Sequence, residues 1–187
     1  MAFAEVTTSI LSEFEAIVGA ENLFVDDEKR YDYSHDKTEN YSFLPDVIAK
    51  PGTPEEVSSL MKLCCTYNIP VTPRGAGTGL AGGSLPIHKG LVISMERFTK
   101  ILNIDELNLQ ATVEPGVITE VFQNAVKEKG LFYPPDPASS GSCFIGGNVS
   151  NNSGGPKAVK YGVTRDYVLS LQVVLPTGEI IWTGANV

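Results

Sequence analysis

The stretch that decides the fold is rich in glycine and reads Pro73-Arg74-Gly75-Ala76-Gly77-Thr78-Gly79-Leu80-Ala81-Gly82-Gly83-Ser84. It holds five glycines in twelve residues and directly follows a predicted strand over residues 69–72. Glycine reaches left-handed backbone angles, and a chain without bulky side chains lets successive backbone N–H groups converge on an anion. The segment therefore predicts a loop that holds a phosphate or a diphosphate, with a tight surface turn as the alternative.

The residues before this loop predict a parallel β-α-β unit. Residues 46–50 are typical of a short buried strand. The helix after it begins at the cap residue Thr53 and runs to about Tyr67. The Thr53 side chain can accept a backbone N–H of the first turn, and Glu56 is placed to accept the backbone N–H of Thr53 in return. The strand at 69–72 completes the unit, which is expected to be right-handed. Open parallel sheets bind ligands beyond the carboxyl ends of their strands, which is where the glycine-rich loop begins.

Two known phosphate-binding motifs can be compared with this loop. The Walker A motif is excluded, because the chain contains no Gly-Lys-Ser or Gly-Lys-Thr. The dinucleotide pattern G-x-G-x-x-G is met by Gly77, Gly79 and Gly82, and Glu96 lies where a ribose-binding acid is sought. That motif requires the loop to open a helix, which Pro86 opposes. A Rossmann-type NAD domain is thus an alternative that predicts a helix from about Gly82.

A second glycine-rich segment spans residues 141–156 and adds five more glycines among serine and asparagine side chains. It offers hydrogen-bond donors without net charge, although by itself it could be a loop of no function. Two such segments in one acidic chain favour a long ligand, such as a diphosphate with polar groups at both ends. Between them, residues 133–137 read Tyr-Pro-Pro-Asp-Pro, a stiff extended stretch that suits the wall of an aromatic-ring pocket.

Helical periodicity predicts a first helix over residues 7–18, followed by a polar and aromatic arm over residues 21–45 without a sustained period. A later helix is capped by Gly130 and carries its apolar residues on one face. These are Ile118, Val121, Phe122 and Ala125.

Strands are predicted at residues 91–94 and 109–113, where the second shows alternating polarity. Near the end of the chain, Pro176-Thr177-Gly178 joins residues 171–175 and 179–183 in a predicted hairpin. Its outer strand would leave an open edge, so a homo-oligomer is possible by edge pairing.

Composition limits the classes of partner. The chain has 187 residues and a formal net charge of −8, so nucleic acid and anionic membrane surfaces are not expected partners. No apolar run is long enough to cross a bilayer, and no secretory signal is visible. Three cysteines without metal-ligand spacing favour a reducing compartment, and the cytoplasm is expected. His35 and His88 lack ligand partners at suitable spacing, so no metal site is expected.

Four ordered motifs together resemble one family of flavoproteins. They are residues 73–84, 133–137, 145–155 and 161–166. They are similar to the FAD-binding domain of the vanillyl-alcohol oxidase and p-cresol methylhydroxylase superfamily, on the branch of the FAD-linked glycolate oxidase subunit and the D-lactate and D-2-hydroxyglutarate dehydrogenases. The implied fold is α+β, with a small parallel β-α-β subdomain and the start of a second, mainly antiparallel one. Residues 1–42 would form the helix and arm, and residues 43–187 the FAD-binding domain of p-cresol methylhydroxylase type, incomplete at its C-terminus.

The resemblance implies FAD as the cofactor, with its diphosphate wrapped by main-chain amides of the first loop. Some relatives link FAD covalently through a histidine near this loop, but His88 lies four residues beyond Ser84, so FAD is expected to bind non-covalently. Arg74 is expected either to screen the diphosphate or to form a structural ion pair. The residues expected to bind FAD are Arg74, Gly75, Ala76, Gly77, Thr78, Gly79, Gly83, Ser84, Pro135, Asp136, Ser142, Gly146, Gly147, Asn148, Ser150, Asn152, Gly154, Tyr161 and Val168.

The resemblance also implies an activity, the oxidation of a D-2-hydroxy acid such as glycolate or D-lactate by hydride transfer to flavin N5. Relatives continue into a cap domain that binds the hydroxy acid and supplies metal ligands and a catalytic histidine. The chain is therefore expected to be the N-terminal part of a longer enzyme, with no catalytic residue of its own and an unknown electron acceptor. A non-catalytic module that retains no cofactor is a further alternative.

Overall fold

The computed structural model describes residues 3–184 and has the expected α+β composition. In chain order the elements are α1 (Thr8–Val18), β1 (Leu23–Phe24), α2 (Asp27–Asp32), β2 (Val47–Ala49), α3 (Pro54–Tyr67), β3 (Val71–Arg74), β4 (Leu91–Ser94), β5 (Ile101–Asp105), β6 (Gln110–Val113), α4 (Thr119–Glu128), α5 (Ile145–Asn151), α6 (Ala158–Tyr161), β7 (Ser170–Val174) and β8 (Ile180–Gly184). Two 3-10 turns lie at Ala20–Asn22 and Thr164–Tyr167.

Contacts divide the chain into two compact units, and the first joins Met1–Arg97 with Ser170–Val187. Its sheet has the order β1-β2-β4-β3, in which β2 and β3 both run parallel to β4 and β1 runs antiparallel to β2. The strand predicted at residues 69–72 begins at Val71 and ends at Arg74. The two strands of the predicted β-α-β unit are thus parallel, with β4 lying between them.

Helices α1 and α3 bury one face each in the core of this unit. Phe14 and Leu60 are fully buried among the side chains of the parallel strands. Helix α1 begins after the cap Thr7, whose hydroxyl accepts the N–H of Ile10, and ends before Gly19 at φ 83°. The C-terminal bound matches the predicted helix over residues 7–18, and the N-terminal bound lies one residue later because Thr7 is the cap.

Helix α3 also follows its prediction, with one correction at its start. The Thr53 hydroxyl accepts the N–H of Glu56 at 3.2 Å, as expected. The Glu56 carboxylate does not reciprocate to Thr53, however, and accepts the N–H of Gly52 at 2.7 Å. On the buried face, burial raises the pKa of the Cys64 thiol to about 12, whereas Cys65 is exposed.

The predicted hairpin is confirmed as β7 and β8, whose registers pair Gln172 with Trp182. Gly178 closes the turn at φ 84°, and its carbonyl accepts the hydroxyl of Ser58 on α3. Trp182 on the outer strand is 65% exposed. Self-association along this edge stays a prediction.

The arm is more regular than its sequence indicates, because it contributes β1 and α2 to the first unit. Helix α2 begins after Asp26, whose carboxylate accepts the N–H of Lys29 at 2.9 Å. Two residues of strand and six of helix are too short to show a period. A domain boundary at residue 42 stays a prediction, although the structure groups residues on both sides of it in one unit.

The second unit, Phe98–Leu169, holds the antiparallel hairpin β5 and β6 together with α4, α5 and α6. Strand β5 was not predicted, because a register shift between Ile101 and Asn103 interrupts its alternation. Helix α4 is confirmed, but its buried face is different: Val121 is 51% exposed, and Thr119, Phe122 and Val126 are buried. Phe122 is buried as predicted, whereas Thr119 and Val126 are buried in place of the other predicted positions.

Within residues 3–184, no helix combines the length and apolar character needed to span a membrane. No three His, Cys, Asp or Glu side chains in the same range are grouped so that they could hold a metal ion.

Candidate functional site

The first glycine-rich loop begins where β3 ends, at the carboxyl end of a parallel strand. Residues 75–90 are all described and contain no helix, so the helix that a Rossmann-type NAD domain requires at Gly82 is absent. Pro86 is buried at this point, and the chain turns from Gly82 to Leu85 through a backbone hydrogen bond of 3.2 Å. The G-x-G-x-x-G spacing is therefore not a Rossmann motif here, which overturns that alternative.

The backbone N–H groups of this loop are not used by the loop itself. Among the described residues, none of the seven N–H groups of residues 75–81 donates a hydrogen bond. The N–H of Gly82 is the first to find a partner, the hydroxyl of Thr38 at 2.9 Å. Backbone donors require a partner in folded proteins, and residues 75–79 are only half-buried, so these groups are available to a ligand.

The glycines leave space in front of these donors. A Cβ atom added at Gly79 or at Gly83 would meet nothing within 4 Å, so each position borders open space. Gly77 differs, because its φ is +67° and an added Cβ would collide with the guanidinium of Arg74. A β-branched side chain at Gly79 would fill the space over the donors, whereas one at Gly77 would also strain the loop.

Arg74 lies beneath this loop with 8% of its surface exposed. Its guanidinium stands 5.2 Å from the ring centre of Tyr33, and its Nη2 donates to the carbonyl of Asp32 at 3.4 Å. Burial lowers the pKa of Arg74, although an arginine remains charged at neutral pH. Among the described residues Arg74 makes no ion pair within 4 Å, and its Nη1 has no hydrogen-bond partner. The buried positive charge therefore favours the first of the two roles expected for it, screening a diphosphate.

A cleft of about 360 Å³ lies beside the start of the loop. It is lined by Lys29, Asp32, Tyr33, Lys50, Arg74, Gly75, Ala76 and Glu96. Glu96 accepts hydrogen bonds from Lys50 Nζ at 2.6 Å and from the Tyr33 hydroxyl at 2.5 Å. Burial raises the pKa of Glu96, but these two bonds outweigh burial and lower it overall. Glu96 is thus ionised and lines the cleft. Its carboxylate accepts hydrogen bonds from Lys50 and Tyr33 rather than from a ribose.

Three residues of the arm bind the same loop, and none of them was identified from the sequence. The N–H of Lys37 donates to the carbonyl of Gly79 at 3.1 Å. Asp36 accepts the hydroxyl of Ser84 at 3.1 Å, and Thr38 holds Gly82. The residues lie about forty positions before the loop in a segment without periodicity, so only their polar character could have pointed to them.

In the second unit, the predicted segment 145–155 is not an open loop, because most of its first half is helix α5. Gly146 packs so tightly on Pro115 that an added Cβ would lie 2.7 Å from the Cβ of that proline, whereas Gly147 borders open space. The Asn148 side chain is buried and donates to the Thr119 hydroxyl at 2.6 Å. The side chain of Asn148 is therefore engaged within the protein, and a contact to FAD stays a prediction.

The stretch 133–137 contains no helix or strand and is held by hydrogen bonds on both sides. The carbonyl of Pro135 accepts the side-chain amide of Gln123 at 2.8 Å, and the N–H of Asp136 donates to the carbonyl of Gly154 at 2.9 Å. The Asp136 carboxylate pairs with Lys157 at 2.9 Å. These bonds restrain the segment, and its role as a wall of an aromatic-ring pocket stays a prediction.

The other predicted residues of this unit use their polar groups locally. Ser142 donates to the carbonyl of Ser139, and Ser150 donates to that of Gly146. The side chain of Asn152 accepts the N–H of Arg165 at 2.9 Å, and the Tyr161 carbonyl accepts the Tyr167 hydroxyl. Val168 ends the second 3-10 turn. Their contacts to a cofactor also stay predictions.

A loop of free backbone donors after a parallel strand, over a buried arginine, is a site for a phosphorylated ligand. Comparison with protein families decides which ligand, since the model of the FAD binding domain matches residues 45–184. The chain belongs to this FAD-binding family. Its cofactor is FAD, and the binding of its diphosphate by residues 75–81 stays a prediction.

Individual relatives in sequence agree with this assignment. The chain is 45% identical over 181 residues to the glycolate oxidase subunit GlcD of Bacillus subtilis, covering 97% of this chain and 38% of that protein. It is 41% identical over 186 residues to D-lactate dehydrogenase of Anaerostipes hadrus, covering 99% of this chain and 39% of that protein. The chain thus spans less than two fifths of the length of these relatives.

Solved structures share the fold. Alkyldihydroxyacetonephosphate synthase superposes with a TM-score of 0.85 at 24% identity, over 100% of this chain and 39% of that one. p-Cresol methylhydroxylase superposes with a TM-score of 0.82 at 25% identity, over 98% of this chain and 37% of that one. The FAD-binding domain therefore has the p-cresol methylhydroxylase type of fold, as the motifs indicated.

Proposed function

We propose that this FAD-binding domain belongs to an oxidoreductase that oxidises a D-2-hydroxy acid. The support is its similarity to a glycolate oxidase subunit and a D-lactate dehydrogenase at 45% and 41% identity. FAD, held by residues 75–81 and Arg74, would supply the hydride acceptor for oxidation of the carbon that carries the hydroxyl group of the acid. A small hydroxy acid and an electron acceptor are then the partners of the whole enzyme.

The observation that carries the proposal is the row of free N–H groups over residues 75–81. These donors hold the diphosphate of FAD, and the open positions at Gly79 and Gly83 let its oxygens approach the main chain. Arg74 lies beneath them and supplies a buried positive charge that offsets the charge of the diphosphate. Contacts of the second-unit residues to FAD stay predictions from the resemblance.

FAD is held without a covalent bond in this proposal, because residues 73–84 contain no histidine and His88 lies beyond them. We assign no proton-transfer step to this chain, since neither of its two histidines lies in the cleft beside Arg74. The three cysteines are free thiols, which supports a reducing compartment such as the cytoplasm.

The test of the site compares Gly79→Val with Ala16→Val, a control that adds the same side chain at an exposed position of α1. Flavin content and FAD affinity are measured by absorbance and calorimetric titration, and stability by thermal unfolding. Loss of one or two diphosphate hydrogen bonds should weaken FAD binding by about tenfold or more. Stability should be retained, because the new side chain enters open space.

Equal FAD affinity in Gly79→Val and the control would overturn the role of the loop. If the wild-type protein binds no FAD, the proposal is wrong and the alternative of a non-catalytic module without cofactor is favoured. The substrate is tested on the flavin-loaded whole enzyme, by adding glycolate, D-lactate and D-2-hydroxyglutarate separately and following loss of the absorbance of oxidised flavin. Bleaching by none of the three would contradict the proposed substrate class.

A further inference from the structure

The arm between α2 and β2 touches the glycine-rich loop at several points, although the arm lies before residue 45, where the match to the FAD-binding family begins. Within the arm, the residues that contact the loop are Asp32 to Thr38, here called the clasp. It holds the loop at Arg74, Gly79, Gly82 and Ser84, from the second residue of the stretch 73–84 to its last.

The clasp binds a carbonyl, side-chain groups and one backbone donor of the loop, the N–H of Gly82, and leaves the donors of residues 75–81 free. Lys37 takes the carbonyl of Gly79 at 3.1 Å. The structure contains no cis peptide bond among the described residues, and in a trans peptide the C=O and the N–H point in opposite directions. The hydrogen bond to Lys37 therefore turns the N–H of Leu80 away from the clasp. Because this N–H points away from the clasp, it is free to donate to a ligand.

Asp36 and Thr38 fix the end of the loop as one unit. One oxygen of the Asp36 carboxylate accepts the N–H of Thr38 at 2.8 Å, and the other accepts the Ser84 hydroxyl at 3.1 Å. Thr38 in turn accepts the N–H of Gly82, whose φ is +69°. Asp36 is 7% exposed, so its oxygens face these partners rather than solvent.

Resting on the proposed function, we propose that the clasp positions the diphosphate loop, with Thr38 and Asp36 as positioning residues that set the affinity for FAD. They act through Gly82 and Ser84, since neither belongs to the row of free donors. A flexible glycine-rich loop would lose backbone freedom on binding a ligand, and that loss of entropy opposes binding. Because the clasp already restrains the loop in the FAD-free protein, less backbone entropy is lost when FAD binds.

The experiment compares Thr38→Val with Thr38→Ser. Valine keeps the shape of threonine but cannot accept the N–H of Gly82, whereas serine keeps the hydroxyl. Thr38→Val should weaken FAD binding by about threefold to thirtyfold, the range expected for one lost hydrogen bond, and should speed hydrogen exchange at Gly82 in the FAD-free protein. Thr38→Ser should restore both values to within about twofold of wild type, which a general packing defect would not do.

The outcomes separate this inference from the proposed function. If Gly79→Val loses FAD while Thr38→Val binds it as wild type does, the clasp has no positioning role and the proposed site stands. If Gly79→Val retains FAD, the proposed site fails and the inference fails with it. Unchanged exchange at Gly82 in Thr38→Val would also overturn the inference, whatever the FAD affinity. Asp36→Asn gives an independent second variant, with weaker FAD binding expected and unchanged binding counting against the proposal.

Discussion

The two glycine-rich segments have similar compositions and opposite structural roles. In residues 75–84, Gly79 and Gly83 border open space, and among the described residues the backbone donors have no partner up to residue 81. In residues 141–155, by contrast, two glycines are closely packed: Gly146 packs on Pro115, and Gly155 lies against the backbone of Asp136. Glycine density therefore indicates two different things, free donors in one case and close packing in the other.

The difference comes from what surrounds each segment. The first follows a strand of a buried parallel sheet and is held by side chains from the arm, so its backbone needs no helix. The second contains Ile145, which is buried with Val117 and Phe122, and this apolar anchor draws the chain into helix α5. Tertiary packing overrides the low helix propensity of Gly, Asn and Ser there.

The largest effect is expected where a glycine of the second segment meets backbone. Gly155 has φ +101°, and an added Cβ would overlap the carbonyl of Asp136, which cannot move without breaking the Asp136 to Gly154 hydrogen bond. Gly155→Val should destabilise the second unit by about 3 kcal/mol or more, measured by urea unfolding, from strain and steric overlap together.

Gly147→Ala is the matched control for Gly155→Val, because Gly147 lies in helix α5 of the same segment and an added Cβ meets open space. Its stability should be equal to wild type or higher by up to about 1 kcal/mol, since alanine favours a helix. If Gly155→Val were as stable as this control, the close-packing role of the second segment would be wrong.

A smaller effect is expected at Thr119, which ties the second segment to α4. Its hydroxyl accepts the Asn148 amide at 2.6 Å and contacts the carbonyl of Cys143 at 3.2 Å, all in a buried environment. Thr119→Val preserves the shape but leaves a buried amide without its acceptor, at a cost of about 1–3 kcal/mol in unfolding free energy. Thr112→Val, on exposed strand β6, is the control and should change stability by less than about 0.5 kcal/mol. A Thr119→Val variant as stable as its control would show that the Asn148 amide finds another partner.

Much of the first segment could be predicted because its signals are local. The strand before it, the glycine spacing and Pro86 together predict an open loop rather than a helix, and the structure agrees. The caps Thr7 and Thr53 likewise mark helix starts in the sequence itself.

What could not be predicted depends on contacts between distant residues. Thr38 and Gly82 are separated by 44 positions, and nothing in either residue type identifies the other as its partner. Helix α5 was missed for a related reason, because Ile145 stabilises it through contacts with Val117 and Phe122 on other elements. The charge of Glu96 suggested a ribose contact, whereas its partners Lys50 and Tyr33 lie 46 and 63 positions away.

The smallest expected effect is a difference in pH dependence: the unfolding free energy should depend on pH through Asp36, which holds the first segment, but not through Thr119, which holds the second. Burial raises the pKa of Asp36, but its hydrogen bonds to Thr38 and Ser84 and the nearby charge of Arg74 outweigh burial and lower the pKa overall. A carboxylate whose pKa is lower in the folded state stabilises the fold above its unfolded pKa of about 4, and this contribution is lost as pH falls through the folded value. The difference in unfolding free energy between wild type and Asp36→Asn should therefore be constant from about pH 7 to pH 5 and shrink below about pH 4. The difference between wild type and Thr119→Val involves only neutral groups and should not change over that range. A constant difference for Asp36→Asn down to about pH 3 would show that the clasp holds the first loop without using the charge of Asp36.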